Sequence, residues 1–299
     1  MNDGPLVSII MNCYNCDEYL KQSINSALSQ TYKNIEIIFW NNQSIDASAK
    51  IIKSYDDNRI RYFYSNSHVP LGKARNLAIK KACGEYIAFL DCDDLWSKDK
   101  IKLSIMELYK TPENQNISLI YSKSLVISEN NNLVRENKKI LSGDIHDTLL
   151  VDGNFIVFSS VMVRRDLLIE CGSIDEDLNY CEDFSMLLKI SKDSYVIGVD
   201  EYLTSYRVHE KSSTKVREFE NNIEVVNFLN SYIKDNNISG ILKFNIFLQN
   251  SYRITSCFMK NFIIFNTRNC TFIIKNYIGL LLLFPLWAGN KFFNSVLKK

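Results

Sequence analysis

A mixed α/β sheet flanked by helices, with a helical extension at its C-terminal end, is the fold that this sequence predicts. Short apolar runs first alternate with helix-patterned stretches, later strand-like runs follow without a helix between every pair, and residues 216–299 show no clear strand alternation. The 299 residues, 46% of them hydrophobic, can fill one large α/β domain plus a smaller appendage. The expected division is residues 1–215 and residues 216–299.

Taken in order, residues 6–11 and 35–40 are apolar, β-branched or aromatic runs bounded by polar clusters, as suits strands buried on both faces. Between them, residues 17–30 carry Tyr19, Leu20, Ile24, Ala27 and Leu28 at helical spacing. The pattern repeats as a helix over 46–55, an alternating strand over 60–64, a helix over 72–83 and a buried strand over 85–90. Such alternation predicts parallel strands with ligands at their carboxyl ends, so each polar cluster after a strand is a candidate binding loop. Further on, strands are expected over 118–128, 160–163, 195–199 and 203–208, forming a mixed edge with antiparallel members. Helices are expected over 165–171 and 182–192.

Charge divides the chain in the same way. After Asp235 there is no acidic residue, whereas eight Lys and Arg follow. Removing them from the chain's 35 basic and 34 acidic residues leaves 27 against 34 in positions 1–235, a charge of −7 against +8 for the tail. The eight cysteines are scattered, and the first apolar run is too short for a secretory signal, so reduced thiols in a cytosolic compartment are expected. Cys13 and Cys16 form a Cys-x-x-Cys with no second pair at zinc spacing, which favours buried small apolar side chains.

The strand over 85–90 runs into Asp91-Cys92-Asp93-Asp94. Carboxylates crowded at the end of a buried strand are costly without a cation. If the pleat persists, Asp91 and Asp93 share a side and Cys92 takes the other. Two carboxylates on one side suit a hard divalent ion such as Mn²⁺ or Mg²⁺, which can neutralise a diphosphate. The alternative is an acidic turn in which Asp94 or Ser97 caps the next helix.

Gly72-Lys73-Ala74-Arg75-Asn76, followed by the run from Ala82-Cys83-Gly84 through Asp91-Cys92-Asp93-Asp94 to Leu95-Trp96, resembles the most recognisable segment of the inverting glycosyltransferase family two. Val7-Ser8-Ile9-Ile10-Met11-Asn12-Cys13-Tyr14-Asn15, with Ser26-Ala27-Leu28-Ser29-Gln30-Thr31-Tyr32, is similar to its opening strand and helix. The likeness covers roughly residues 5–210 and implies a GT-A fold, the Rossmann-like fold of enzymes that use nucleotide-diphospho-sugar donors. It implies a metal ligand at Asp93 and a ribose or water-shell contact at Asp91. Asn12, Tyr14, Ser44, Arg75 and Cys92 would belong to the donor site, with Tyr14 stacking on the base. Where the family usually has an acidic pair after the second strand, this chain has Asn41-Asn42, and the amide oxygen of Asn42 can still accept from a ring NH.

The same resemblance places catalysis at Glu182-Asp183, with Asp183 as the base that deprotonates the acceptor hydroxyl. Helix N-terminal acidity favoured by the macrodipole is the alternative. His209, in Tyr206-Arg207-Val208-His209, would ligate the metal or pair with phosphate. Lys211, Ser212 and Ser213 are candidate loop contacts. The implied reaction is a single displacement with inversion, moving a sugar onto a saccharide or lipid-linked saccharide.

Residues 276–290 carry no charge and include Leu280 to Trp287. As a helix they reach about 22 Å, short of a hydrocarbon core of roughly 30 Å, and Pro285 interrupts them. Lying in the interface of an anionic membrane fits better than spanning it, which predicts a peripheral place on the inner face of a bacterial cytoplasmic membrane. Packing on the catalytic domain, or a homodimer interface, is the alternative. The basic region is rich in leucine and phenylalanine rather than in a recognition motif, which argues against nucleic acid. A nucleotidyltransferase would carry a glycine- and lysine-rich phosphate loop where Asn12-Cys13-Tyr14-Asn15 stands. A non-catalytic binding or assembly module of the same fold remains the other reading, because of Asn41 and Asn42.

Overall fold

β-Branched and aromatic residues that can pack on both faces of a pleated ribbon dominate β1 (Val7–Cys13) and β2 (Ile35–Asn41), and every residue of β2 is buried. The two strands pair in parallel, Val7 against Ile35 through Cys13 against Asn41. The computed structural model from which this is read describes residues 4–112, 115–212, 216–236, 238–263 and 267–281. Helix α1 (Asp17–Leu28) crosses between the strands and buries Tyr19, Leu20, Ile24 and Ala27, the face its spacing predicts.

The alternation continues through α2 (Ser48–Lys53), β3 (Ile60–Tyr64), α3 (Leu71–Ile79) and β4 (Tyr86–Phe89). β4 lies parallel to the other edge of β1. Gly84 makes this approach feasible, since a Cβ there would sit 2.6 Å from the Ser8 backbone nitrogen. The Ser8 hydroxyl, which accepts from Gly84 N, donates in turn to the buried Glu36 carboxylate.

Downstream come β5 (Leu95–Trp96), α4 (Lys100–Lys110), β6 (Ile117–Ser128), β7 (Leu133–Asn137), α5 (His146–Asp152), a 3-10 turn at Phe158–Ser160, β8 (Met162–Arg164), α6 (Arg165–Glu170), α7 (Glu182–Ser191) and β9 (Tyr195–Val208). The sheet runs β3-β2-β1-β4-β8-β6-β9-β5, with β7 paired to β6. β8 is antiparallel to both β4 and β6, which makes the mixed edge. The two strands expected over 195–208 are one strand, because β9 follows β6 past register shifts instead of turning away. The β7 hairpin and α5 have no counterpart among the elements expected from the sequence.

By its contacts the chain divides into two compact units, residues 1–146 with 154–212, and residues 147–153 with 213–299. The first holds the sheet and a core that includes Ile9, Met11, Leu20, Ile37, Phe39, Ala88 and Met162. The second contains the helices Glu218–Asp235, Gly240–Ile263 and Thr267–Leu281, the last kinked at Tyr277. Ile223, Val226, Ile254, Cys257 and Ile273 form its core cluster. Among the described residues, no helix is long and apolar enough to cross a membrane. Most of the apolar stretch over 276–290, from residue 282 onward, lies outside the described residues.

Candidate active site

After β4 the backbone turns through Asp91-Cys92-Asp93-Asp94, and four hydrogen bonds fix that turn. Asp91 N donates to Ser159 Oγ at 3.1 Å, and Ser23 Oγ donates to Asp91 O at 3.0 Å. The fully buried Arg207 donates from its backbone to Asp94 Oδ1 at 2.8 Å and from Nε to the Asp93 carbonyl at 2.7 Å. Its remaining guanidinium donors reach Asn131 Oδ1 and Gln22 Oε1, and the group stands 4.5 Å over the Tyr19 ring. This arginine stands in the motif quoted for His209, but its own role carried no signal, since a cation beneath a loop leaves no local pattern.

His209, two residues on, brings Nε2 to 3.0 Å from Asp93 Oδ2. Asp93 and His209 thus bring a carboxylate and an imidazole together, donor types that a hard divalent cation accepts, while Asp91 on the same turn pairs with Arg75. Asp94 plays a different part. It is buried, and burial, followed by the neighbouring Asp93 and Asp91, pushes its carboxyl well above the usual range. The capping alternative is overturned: α4 starts at Lys100, beyond both Asp94 and Ser97, with Asp99 at the N-cap.

The Gly72-Lys73-Ala74-Arg75-Asn76 motif explains itself in α3. A Cβ on Gly72 would lie 2.5 Å from the Asp175 carbonyl, so glycine lets the helix approach that loop. Asn76 then grips it from both sides, donating to Ile174 O at 2.9 Å and accepting from Ile174 N at 3.0 Å. With the helix locked, Arg75 points inward rather than to the surface and is 4% exposed. Nη1 donates to Glu182 Oε1 at 2.7 Å, Nη2 to Asp91 Oδ1 at 3.2 Å, and the guanidinium lies 4.1 Å over the Phe158 ring.

Glu182 and Asp183 open α7, and the structure gives them unlike partners. Glu182 is buried against Arg75. Asp183 takes neutral donors, Asn154 Nδ2 at 3.1 Å and Phe184 N at 2.6 Å. Burial first, and the adjacent Glu182 second, raise the Asp183 carboxyl to about 7.

In the loops that follow β1 and β2, Asn15 and Gln43 hold positive φ of 55° and 70°, and polar side chains clamp the two loops together. Asn15 N donates to Ser44 Oγ at 3.0 Å, and Ile45 N to Asn15 Oδ1 at 2.9 Å. Asp17 and Asp46 accept reciprocally from the backbones of Ala47 and Asp17. Asn42 is buried, and its amide is engaged with Val69, donating to Val69 O at 2.8 Å and accepting from Val69 N at 3.3 Å. Tyr14 is 49% exposed, with its ring centroid 4.2 Å from that of His68, a residue the sequence reading passed over.

The buried Cys92 side chain donates to the Asn12 carbonyl at 3.2 Å. Asn12 Nδ2 is buried with no hydrogen-bond partner among the described residues. Ser212 Oγ accepts from His209 N, Lys211 pairs with Glu18 at 3.3 Å, and Ser213 lies outside the described residues.

The chain matches the model of Glycosyl transferase family 2 over residues 8–172. It is 33% identical to the Escherichia coli UDP-Glc:alpha-D-GlcNAc-diphosphoundecaprenol beta-1,3-glucosyltransferase WfaP, over 76% of this chain and 86% of that protein. It is 34% identical to an uncharacterized glycosyltransferase of Rickettsia typhi, over 71% of this chain. The chain spans 66% of the length of that relative and 39% of one from Rickettsia felis. Among solved structures, the mannosyltransferase PcManGT of Pyrobaculum calidifontis, in complex with GDP-Man and Mn²⁺, aligns with a TM-score of 0.64 at 15% identity, covering 95% of this chain and 82% of that one. Staphylococcus aureus TarS aligns at 0.61 and 20% identity, covering 84% and 44%. The fold is thus the mixed α/β sheet of GT-A glycosyltransferases.

Proposed function

From the premise that the chain belongs to glycosyl transferase family 2, we propose that it moves a sugar from a nucleotide-diphosphate donor to a hydroxyl of a lipid-linked saccharide, by a single displacement with inversion. The observation that carries this is the division of labour among the acidic residues. Asp93 meets His209, Asp91 and Glu182 share Arg75, and Asp183, with neutral donors and a value of about 7, is suited to take a proton near neutrality. The lipid-linked class of acceptor draws support from the diphosphoundecaprenol named for the Escherichia coli relatives.

In this mechanism the acceptor hydroxyl gives its proton to Asp183 as its oxygen bonds to the anomeric carbon, while the bond from that carbon to the donor diphosphate breaks. Asn154 orients the Asp183 carboxylate. Arg75 holds Glu182 and Asp91 in place and offsets their charge, which makes Glu182 a positioning residue rather than a second base. Asp93, His209 and Asp91 would hold Mn²⁺ or Mg²⁺, which would offset the charge developing on the diphosphate. Tyr14 offers a face for the base. Because the Asn42 amide is engaged by Val69, selection of the base falls to the rest of that loop, including His68.

The basic helical unit would rest on an anionic membrane surface, on the cytoplasmic side where lipid-linked acceptors are presented. Exposed Ile241, Phe244 and Phe247, in a region free of acidic residues, support this. Cosedimentation with anionic but not neutral liposomes checks it, and equal behaviour with both would exclude it.

Screening nucleotide sugars by thermal shift with Mn²⁺, and then following transfer to a diphospholipid-linked saccharide, tests the main proposal. Metal-dependent transfer that disappears in Asp93→Ala is the expected result. Binding without turnover across donors and acceptors would instead support a non-catalytic module.

A further inference from the structure

The Cys13-x-x-Cys16 spacing offers two thiols and no more, but the fold supplies a third. Cys13 ends β1, Cys16 stands at the N-cap of α1, and Cys92 follows β4, the parallel neighbour of β1. All three sulfurs lie within 4.8 Å of one another. Thiolates around a tetrahedral Zn²⁺, at about 2.3 Å from the metal, stand roughly 3.8 Å apart, so these sulfurs need only small rotations to converge. Oxygen atoms surround the group. Ser44 Oγ is 3.7 Å from Cys13 Sγ, and the carbonyls of Asn12 and Tyr14 accept from Cys92 and Cys16 at 3.2 and 3.5 Å.

We propose that Cys13, Cys16 and Cys92 form a binding site for a soft divalent cation of the Zn²⁺ class, with three thiolates and one oxygen, from Ser44 or water, as ligands. Cys13 and Cys92 are buried while Cys16 is partly exposed, so the cation enters past Cys16. On binding, the thiol protons pass to solvent and the metal–sulfur bonds replace them. Softness separates this site from the Asp93–His209 side of the same loop, since thiolates select Zn²⁺ and carboxylates select Mg²⁺ or Mn²⁺. The cation would tie the loop carrying Tyr14 to the loop carrying Asp91 and Asp93, and so fix from beneath the two loops assigned to the donor. The inference stands whether or not the chain transfers a sugar.

The test titrates the metal-stripped full chain, kept reduced with a phosphine, with Cd²⁺ and follows the ultraviolet thiolate-to-metal charge-transfer band. One equivalent should saturate the band, and Zn²⁺ should displace it. Cys16→Ser, at a partly exposed N-cap where serine is well tolerated, should lower the band and weaken Cd²⁺ binding, since only two thiolates remain, as should Cys92→Ser. Asp93→Ala should keep it, because carboxylates give no such band. In the unsubstituted chain, Zn²⁺ should also slow alkylation of Cys16. Absence of the band, or a band of full height in Cys16→Ser, would overturn the proposal.

Discussion

The acidic cluster at the end of β4 and the acidic pair at the start of α7 face each other across Arg75, yet their side chains are held in opposite ways. In the first, Asp93 lies against His209, Asp94 accepts from the Arg207 backbone, and Asp91 from Arg75. In the second, Glu182 takes the other half of the Arg75 fork, and Asp183 is left with an amide and a backbone N–H. The difference teaches that charge alone does not assign a role. A carboxylate set against an imidazole or a guanidinium keeps its charge offset, whereas a half-buried one beside another carboxylate is raised into the range of a base.

The comparison breaks most completely at Asp93. Asp93→Ala should cut transfer by roughly 10³-fold or more and weaken donor binding in the presence of Mn²⁺, both readable by steady-state kinetics and calorimetry. Asp183→Asn should lower kcat by about 10²–10⁴-fold while leaving donor affinity nearly intact, since the amide keeps the shape and loses the basicity. Arg75→Met strands Glu182, whose side chain is 6% exposed, and should cost about 3–5 kcal/mol of stability in denaturant unfolding. Adding Glu182→Leu should recover much of that loss.

The smallest effect is the dependence on pH. Asp183 acts when ionised, so kcat/KM should fall about tenfold per pH unit below about 7 and level off above it. The stability linkage has the opposite sense. A carboxyl raised in the folded state binds its proton more tightly there than in the unfolded chain, so its contribution declines as pH rises from its ordinary 3.8 through about 7. Asp183→Asn should therefore melt at a higher temperature than the parent at pH 8, and the gap should close at low pH. A melting gap unchanged between the two conditions would remove the raised value from the account.

Much of the fold was legible because it rests on local periodicity. The apolar faces of β1, β2 and α1 recur in the structure where their spacing put them. The two strands expected over 195–208 merged into one, since a strand's continuity depends on its partner β6 rather than on its own residues. In the candidate site, Asp91 and Asp93 stood out as carboxylates at a strand end, and Asp183 through the family resemblance. Arg207, Asn154 and His68 did not, because each matters through a contact that carries no pattern in the chain around it.

By itself the sequence determined the alternating strands and helices, the carboxylates at the end of β4, the acidic start of α7 and the acid-free tail, all of which depend on composition and on neighbours a few residues away. Only the tertiary structure decided that Arg75 reaches Glu182, 107 residues away, and joins it to Asp91, that Asn42 spends its amide on Val69, and that Cys92 stands beside Cys13 and Cys16. Pairings of that kind are set by which strand ends and helix termini the sheet order brings side by side, and local periodicity does not encode them.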